Sequence, residues 1–160
     1  MDWKATFGPD WERVVGAPML AGIAVTAAEP GGLFGALKES FAVANTMRTP
    51  KGGGDDLTAA IAAAYETSEG RDMARAVLKA KAKGKKPAEI VDAAVAELAA
   101  VTKIVAEKAP DAAPGFRAWL NAIAAKVAEA GTEGGFLGFG GEKVSAAEKA
   151  TLDRLATALA

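Results

Sequence analysis

The chain contains no cysteine and no histidine. Their absence removes disulfide staples, thiol nucleophiles, imidazole acid–base chemistry and the usual ligands of zinc and haem. What remains for chemistry is carboxylates, lysines, arginines, the single tyrosine Tyr65 and scattered hydroxyls. A dominant charge is missing too: 19 basic residues face 20 acidic ones, for a net charge of −1. Global electrostatics therefore gives no reason to expect nucleic acid or an anionic membrane as the main partner, and any electrostatic function must come from a local patch. Long apolar runs are lacking as well. The longest, VVGAPMLAGIAVTAA from Val14 to Ala28, is interrupted by Pro18 and is short for a bilayer span. Asp2, Asp10 and Glu12 ahead of it do not suit a signal peptide. The expectation is a buried core helix in a cytoplasmic protein.

What is present is globular in composition. Hydrophobic residues make up 51% and charged residues 24% of 160 residues, enough for a single domain over 1–160 with a core of its own. Apolar spacing reads as helix almost throughout, because the valine runs sit among alanines. The first helix is expected from a cap at Asp10 to about Ala28, bent near Gly16 and Pro18, with Val14, Val15, Met19, Ile23 and Val25 inside. A second covers Leu33 to Met47, followed by the loop TPKGGG at Thr49–Gly54. A third runs from Asp55 or Asp56 through Leu57, Ile61 and Tyr65 to a break at Ser68–Gly70, and a fourth spans Arg71 to Lys83. Pro87 to Lys108 is the longest, with Ile90, Val91, Ala94, Leu98, Val101 and Val105 on its apolar face and Glu89, Asp92, Glu97 and Lys103 facing outward. After the connector APDAAPG, Phe116, Trp119, Leu120, Ile123 and Val127 form one further face. Ser145 and Glu148 make a capping box ahead of Leu152, Leu155 and Leu159. The resulting fold class is all-α, a single-domain bundle of about six to seven helices with no strand.

Glycine is concentrated in one stretch, GGFLGFGG from Gly134 to Gly141. Such density costs backbone entropy, and Phe136, Leu137 and Phe139 do not suit a solvated linker. At least two of these three are expected to pack on the helices near Trp119, or else to form an interaction surface. Gly31-Gly32-Leu33-Phe34-Gly35 and Gly134-Gly135-Phe136-Leu137-Gly138 share one pattern, which makes two helical hairpins a candidate pseudo-repeat; two glycine C-caps account for it equally.

The residues Gly141-Glu142-Lys143-Val144-Ser145-Ala146-Ala147-Glu148 resemble the helix-start turn of TerB-like helical domains, bacterial proteins associated with tellurite resistance and stress. With the GGFLGFGG loop, the chain also looks like a group of small bacterial all-helical proteins. The resemblance covers about a fifth of the chain and implies a helical fold. No aspartate precedes Gly141, which argues against a metal site there.

Four candidate sites follow from the side chains. Glu29, Glu39, Glu142 and Glu148 could be gathered around a cation, yet hard cations want six to eight closely spaced oxygens, and Glu148 is better used as the capping partner of Ser145. Lys79, Lys81, Lys83, Lys85 and Lys86, with Arg71 and Arg75 upstream, form the strongest charge feature. It suits an anionic partner or a solvated helix C-terminus, and no aromatic is interleaved for base stacking. The glycine segments do not match a phosphate loop, since Glu142 follows Gly141 and no strand precedes it. Trp3, Trp11, Trp119, Phe7, Phe34, Phe136 and Phe139 line either a core or an apolar cavity. The reading that unites these observations is a non-enzymatic helical interaction or regulatory module without cofactor or metal. Its candidate surface comprises Phe136, Leu137, Phe139, Lys79, Lys83, Lys85 and Lys86, and its expected partner is a protein or an apolar ligand. The alternatives are a carboxylate-dependent enzyme and an anionic-lipid binder through the Lys79–Lys86 face.

Overall fold

The structure is a computed structural model, described here over residues 2–28, 56–133 and 146–160, with side chains of 130–133 excepted. The helix expected at Leu33–Met47, the TPKGGG loop, both Gly-Gly-apolar-apolar-Gly segments and Ser145 lie outside the described residues. Among the described residues every regular element is helical, and the fold is an all-helical single bundle with no strand. A short lead, α1 (Trp3–Phe7), passes through a 3-10 turn (Gly8–Asp10) into α2 (Trp11–Ala28). Then come α3 (Asp56–Glu66), α4 (Ser68–Ala82), α5 (Pro87–Lys108), α6 (Ala113–Glu133) and α7 (Ala146–Leu159).

Helix α2 is the axis of the bundle. It packs against α4, α5, α6 and α7, most extensively against α5. Val14, Val15, Ala17, Leu20, Ala21 and Ala24 are wholly buried, so apolar residues lie on nearly every side of the helix. Met19 and Ile23, expected inside, are only half-buried, and Leu20 takes the central place instead. The helix continues through Pro18. An interior proline costs about 3 kcal/mol, but each buried Val or Leu returns roughly 1.5–3 kcal/mol, so packing on four neighbours outweighs the missing N–H. Close approach of α4 depends on Gly16, where a Cβ would stand 2.8 Å from the Cβ of Val77.

Three boundaries differ from the sequence expectation. The lead is itself helical, because the Asp2 carboxylate accepts from the Ala5 N–H at 3.1 Å and caps it. Trp3, Phe7 and Trp11 then stack in series, with centroids 6.0 and 6.2 Å apart. Helix α4 starts at Ser68 rather than Arg71: Thr67 is its N-cap and accepts from the Gly70 N–H at 3.0 Å, so the break falls one residue before Ser68. Pro114, read as part of a connector, lies in the first turn of α6, where proline needs no N–H partner.

Candidate functional site: a basic corner and its buried anchor

The corner between α4 and α5 is built by a few local rules. Helix α4 ends at Ala82, where Lys83 leaves helical geometry (φ −56°, ψ 122°) while its N–H still reaches the Lys79 carbonyl at 3.0 Å. Gly84 takes φ +69°, a left-handed conformation that glycine adopts without strain. Lys85 closes the turn with an N–H to the Ala82 carbonyl at 3.1 Å. Lys86 then stands at the N-cap of α5, its backbone N–H bound by the Glu89 carboxylate at 2.9 Å, with Pro87 in the first helical position.

This turn collects positive charge at an exposed edge. Lys79, Lys83, Lys85 and Lys86 are exposed, as is every residue from 83 to 89. None of the four makes an ion pair among the described residues. The basic residues upstream are engaged differently. Arg75 pairs with Asp72 at 3.4 Å, and Arg71 donates to the Tyr65 carbonyl at 3.0 Å. Arg75, read from the sequence as upstream of the basic run, is therefore paired with a local acid.

Lys81, in the middle of the run, turns inward to Glu97 of α5 at 3.3 Å. Glu97 was expected on the outward face of α5, and the structure corrects this: it is 6% exposed. Arg13 of α2 grips the same carboxylate with two nitrogens, Nε at 2.6 Å and Nη2 at 3.2 Å. Burial alone would raise the Glu97 pKa, but the Arg13 hydrogen bond and the charges of Arg13 and Lys81 prevail and hold it below the ordinary glutamate value. The chain of charges continues outward. Asp10, expected to cap α2 through its side chain, instead accepts from Arg13 at 3.4 Å and from Lys108 Nζ at 2.9 Å, and Lys108 also reaches the Phe7 carbonyl. The lysine-rich end of α4 is thus pinned to α5 and α2 by a carboxylate that sequence periodicity assigned to solvent.

The other candidates separate clearly. Phe136, Leu137, Phe139, Phe34, Glu29, Glu39 and Glu142 lie outside the described residues. Glu148 is described and buried on α7. Among the described residues no group of three or more acids is placed to hold a metal ion. Phe7, Trp11 and Trp119 belong to the core, and the Trp119 indole N–H is buried without a hydrogen-bond partner among the described residues. An open groove of about 430 Å³ runs between α5 and α7, lined by Val95, Asp153, Arg154, Thr157 and Ala158, and Arg154 bridges to Asp92 at its side. Among the described residues, no helix is long and apolar enough to cross a membrane. No family model, curated protein or solved structure matches the chain.

Proposed function

We propose that this chain is a non-enzymatic helical interaction module whose recognition surface is the basic corner of Lys79, Lys83, Lys85 and Lys86. The observation that carries the reading is their exposure at one helix end and the turn after it, with no ion pair among the described residues, while the neighbouring Arg75 and Lys81 are paired with Asp72 and Glu97. A surface charge cluster left uncompensated raises the local concentration of anionic partners and steers them to one edge. Glu97 supports this division of labour. A carboxylate gripped by an arginine and a lysine is kept ionised and serves to brace α4, rather than to trade protons with a substrate. The proposal includes a cytoplasmic setting and the stress-associated role that the TerB-like turn implies.

Heparin–agarose, a generic polyanion, tests the reading. The wild-type protein is expected to be retained and to elute with added salt. The variant with Lys79, Lys83, Lys85 and Lys86 all changed to Ala is expected to flow through. Equal elution of the two proteins would remove the corner from consideration.

A further inference from the structure

We infer that the partner of the basic corner is the surface of an anionic phospholipid bilayer, an inference that rests on the reading of that corner as a recognition surface. Three features select a bilayer over a nucleic acid. The first is shape. Single-stranded nucleic acid is held in positively charged grooves with aromatic platforms, whereas this charge sits on a turn whose residues 83 to 89 are all exposed and include no aromatic. A continuously exposed run can meet a plane without needing a groove. The second is side-chain type. The corner's four cations without an ion pair among the described residues are all lysines, and the nearby arginines are tied to Asp72, the Tyr65 carbonyl and Glu97. Lysine ammoniums are hydrated point charges on flexible stems, suited to a diffuse anionic sheet, while base and phosphate recognition in a fixed register favours the arginine fork.

The third feature is the charge of everything else. Nineteen basic residues less these four leaves fifteen against twenty acids, so the remainder of the chain carries five more acids than bases. An anionic plane repels a net-negative remainder and attracts the corner, which favours approach by the corner. The Glu97 anchor matters here as well. By holding Lys81 and the end of α4 against α5 and α2, it fixes the turn that presents the lysines. Attachment is peripheral and electrostatic, since the corner from 83 to 89 carries no aromatic or branched apolar residue to enter the acyl region.

Sedimentation with sucrose-loaded vesicles tests this. One set contains phosphatidylcholine with about a third phosphatidylserine, and the other phosphatidylcholine alone. Binding is expected to the first set only, and to fall steeply as salt shortens the screening length. Each Lys→Ala change at 79, 83, 85 or 86 should weaken partitioning about fivefold, equivalent to about 1 kcal/mol per lysine near the surface. The combined variant should lose binding, while Lys103→Ala, elsewhere on α5, should not. A parallel gel-shift with duplex and single-stranded DNA separates the outcomes. Binding to DNA without anionic vesicles would overturn the bilayer inference and leave the basic recognition surface standing. Retention on neither heparin, vesicles nor DNA would overturn both. Equal binding to the two vesicle types would also overturn the inference, because charge would not be the cause.

Discussion

The Tyr65 hydroxyl donates to the Val15 carbonyl oxygen at 2.6 Å, joining the end of α3 to the central helix across 50 residues of sequence. The contact lies within one turn of Pro18, where the helical ladder is already short of a donor. Burial pushes the phenol pKa far above its usual value, and the hydroxyl remains a donor at any ordinary pH. Tyr65→Phe should therefore leave the Val15 carbonyl without this partner and cost about 1–3 kcal/mol. For a chain of this size that is a fall of roughly 2–4 °C per kcal/mol in melting temperature. Unchanged melting by calorimetry would mean that the proline turn does not depend on the tyrosine.

Two glycines offer a paired test of space against backbone conformation. At Gly70 an added Cβ would collide with the Ala64 carbonyl oxygen, and backbone cannot swing aside as a side chain can. Gly84 has a positive φ of 69° but nothing within 4 Å of such a Cβ. Gly70→Ala should cost 3 kcal/mol or more (~3 as the upper end of ordinary overpacking). Gly84→Ala should cost about 1–2 kcal/mol from left-handed strain alone. Chemical denaturation should rank them in that order, and the reverse order would place the close contact elsewhere.

Acid stability should report on Glu97. Its pKa in the folded protein lies below the ordinary value of 4.5, because Arg13 and Lys81 outweigh the opposing effect of burial. Its contribution is therefore complete above pH 4.5 and disappears as pH falls through the lowered folded value. Asp10, lowered from 3.8 chiefly by its hydrogen bond to Lys108, acts in the same direction. Glu97→Gln should destabilise the protein near pH 7 by about 1–3 kcal/mol, less than a fully buried pair because Arg13 and Lys81 are each 37% exposed. It should also flatten the loss of stability below pH 4.5. Parallel curves for the two proteins from pH 7 to 3 would contradict the assigned pairing.

Core and corner should respond oppositely to truncation. Leu20→Ala removes a wholly buried side chain from the most enclosed helix and should cost about 2–5 kcal/mol. Lys79→Ala and Lys83→Ala touch exposed side chains without ion pairs among the described residues and should stay within about 0.5 kcal/mol of wild type. Folding of the four-lysine variant, seen as unchanged helical circular dichroism, is the condition for reading its binding loss as loss of recognition.

The parts legible in the sequence are those whose cause is local. Ile90 through Val105 repeat at helical spacing and do line the buried side of α5, and Phe116 through Val127 do the same for α6. The exposure of Lys79, Lys83, Lys85 and Lys86 was likewise readable, since a charged run ending in Gly-Lys-Lys-Pro has little else to do. Glu97 was not readable. Its position in α5 reads as a solvated face until Arg13, 84 residues earlier, and Lys81 are brought beside it. The start of α4 failed for a different reason. Ser68, Glu69 and Gly70 look like a breaker, but Thr67 caps them into a first turn, and Gly70 is required by the closeness of Ala64 rather than by flexibility. The Tyr65 contact had one sequence clue, a proline inside an apolar helix, which signals a missing donor without saying what supplies a substitute.

The enclosure of α2 has a consequence for synthesis. Its wrapping partners α4 to α7 all follow it in the chain, and the last begins at Ala146, more than a hundred residues after Ala28. At about 5–20 residues per second, the ribosome makes the apolar face of α2 wait several seconds or more for its cover. Until α4 and α5 have been made, Val14, Val15 and Leu20 lack the cover that those helices give them in the folded protein. Ribosome-bound chains halted near residue 60 should be far more susceptible to protease than chains halted once α7 has emerged.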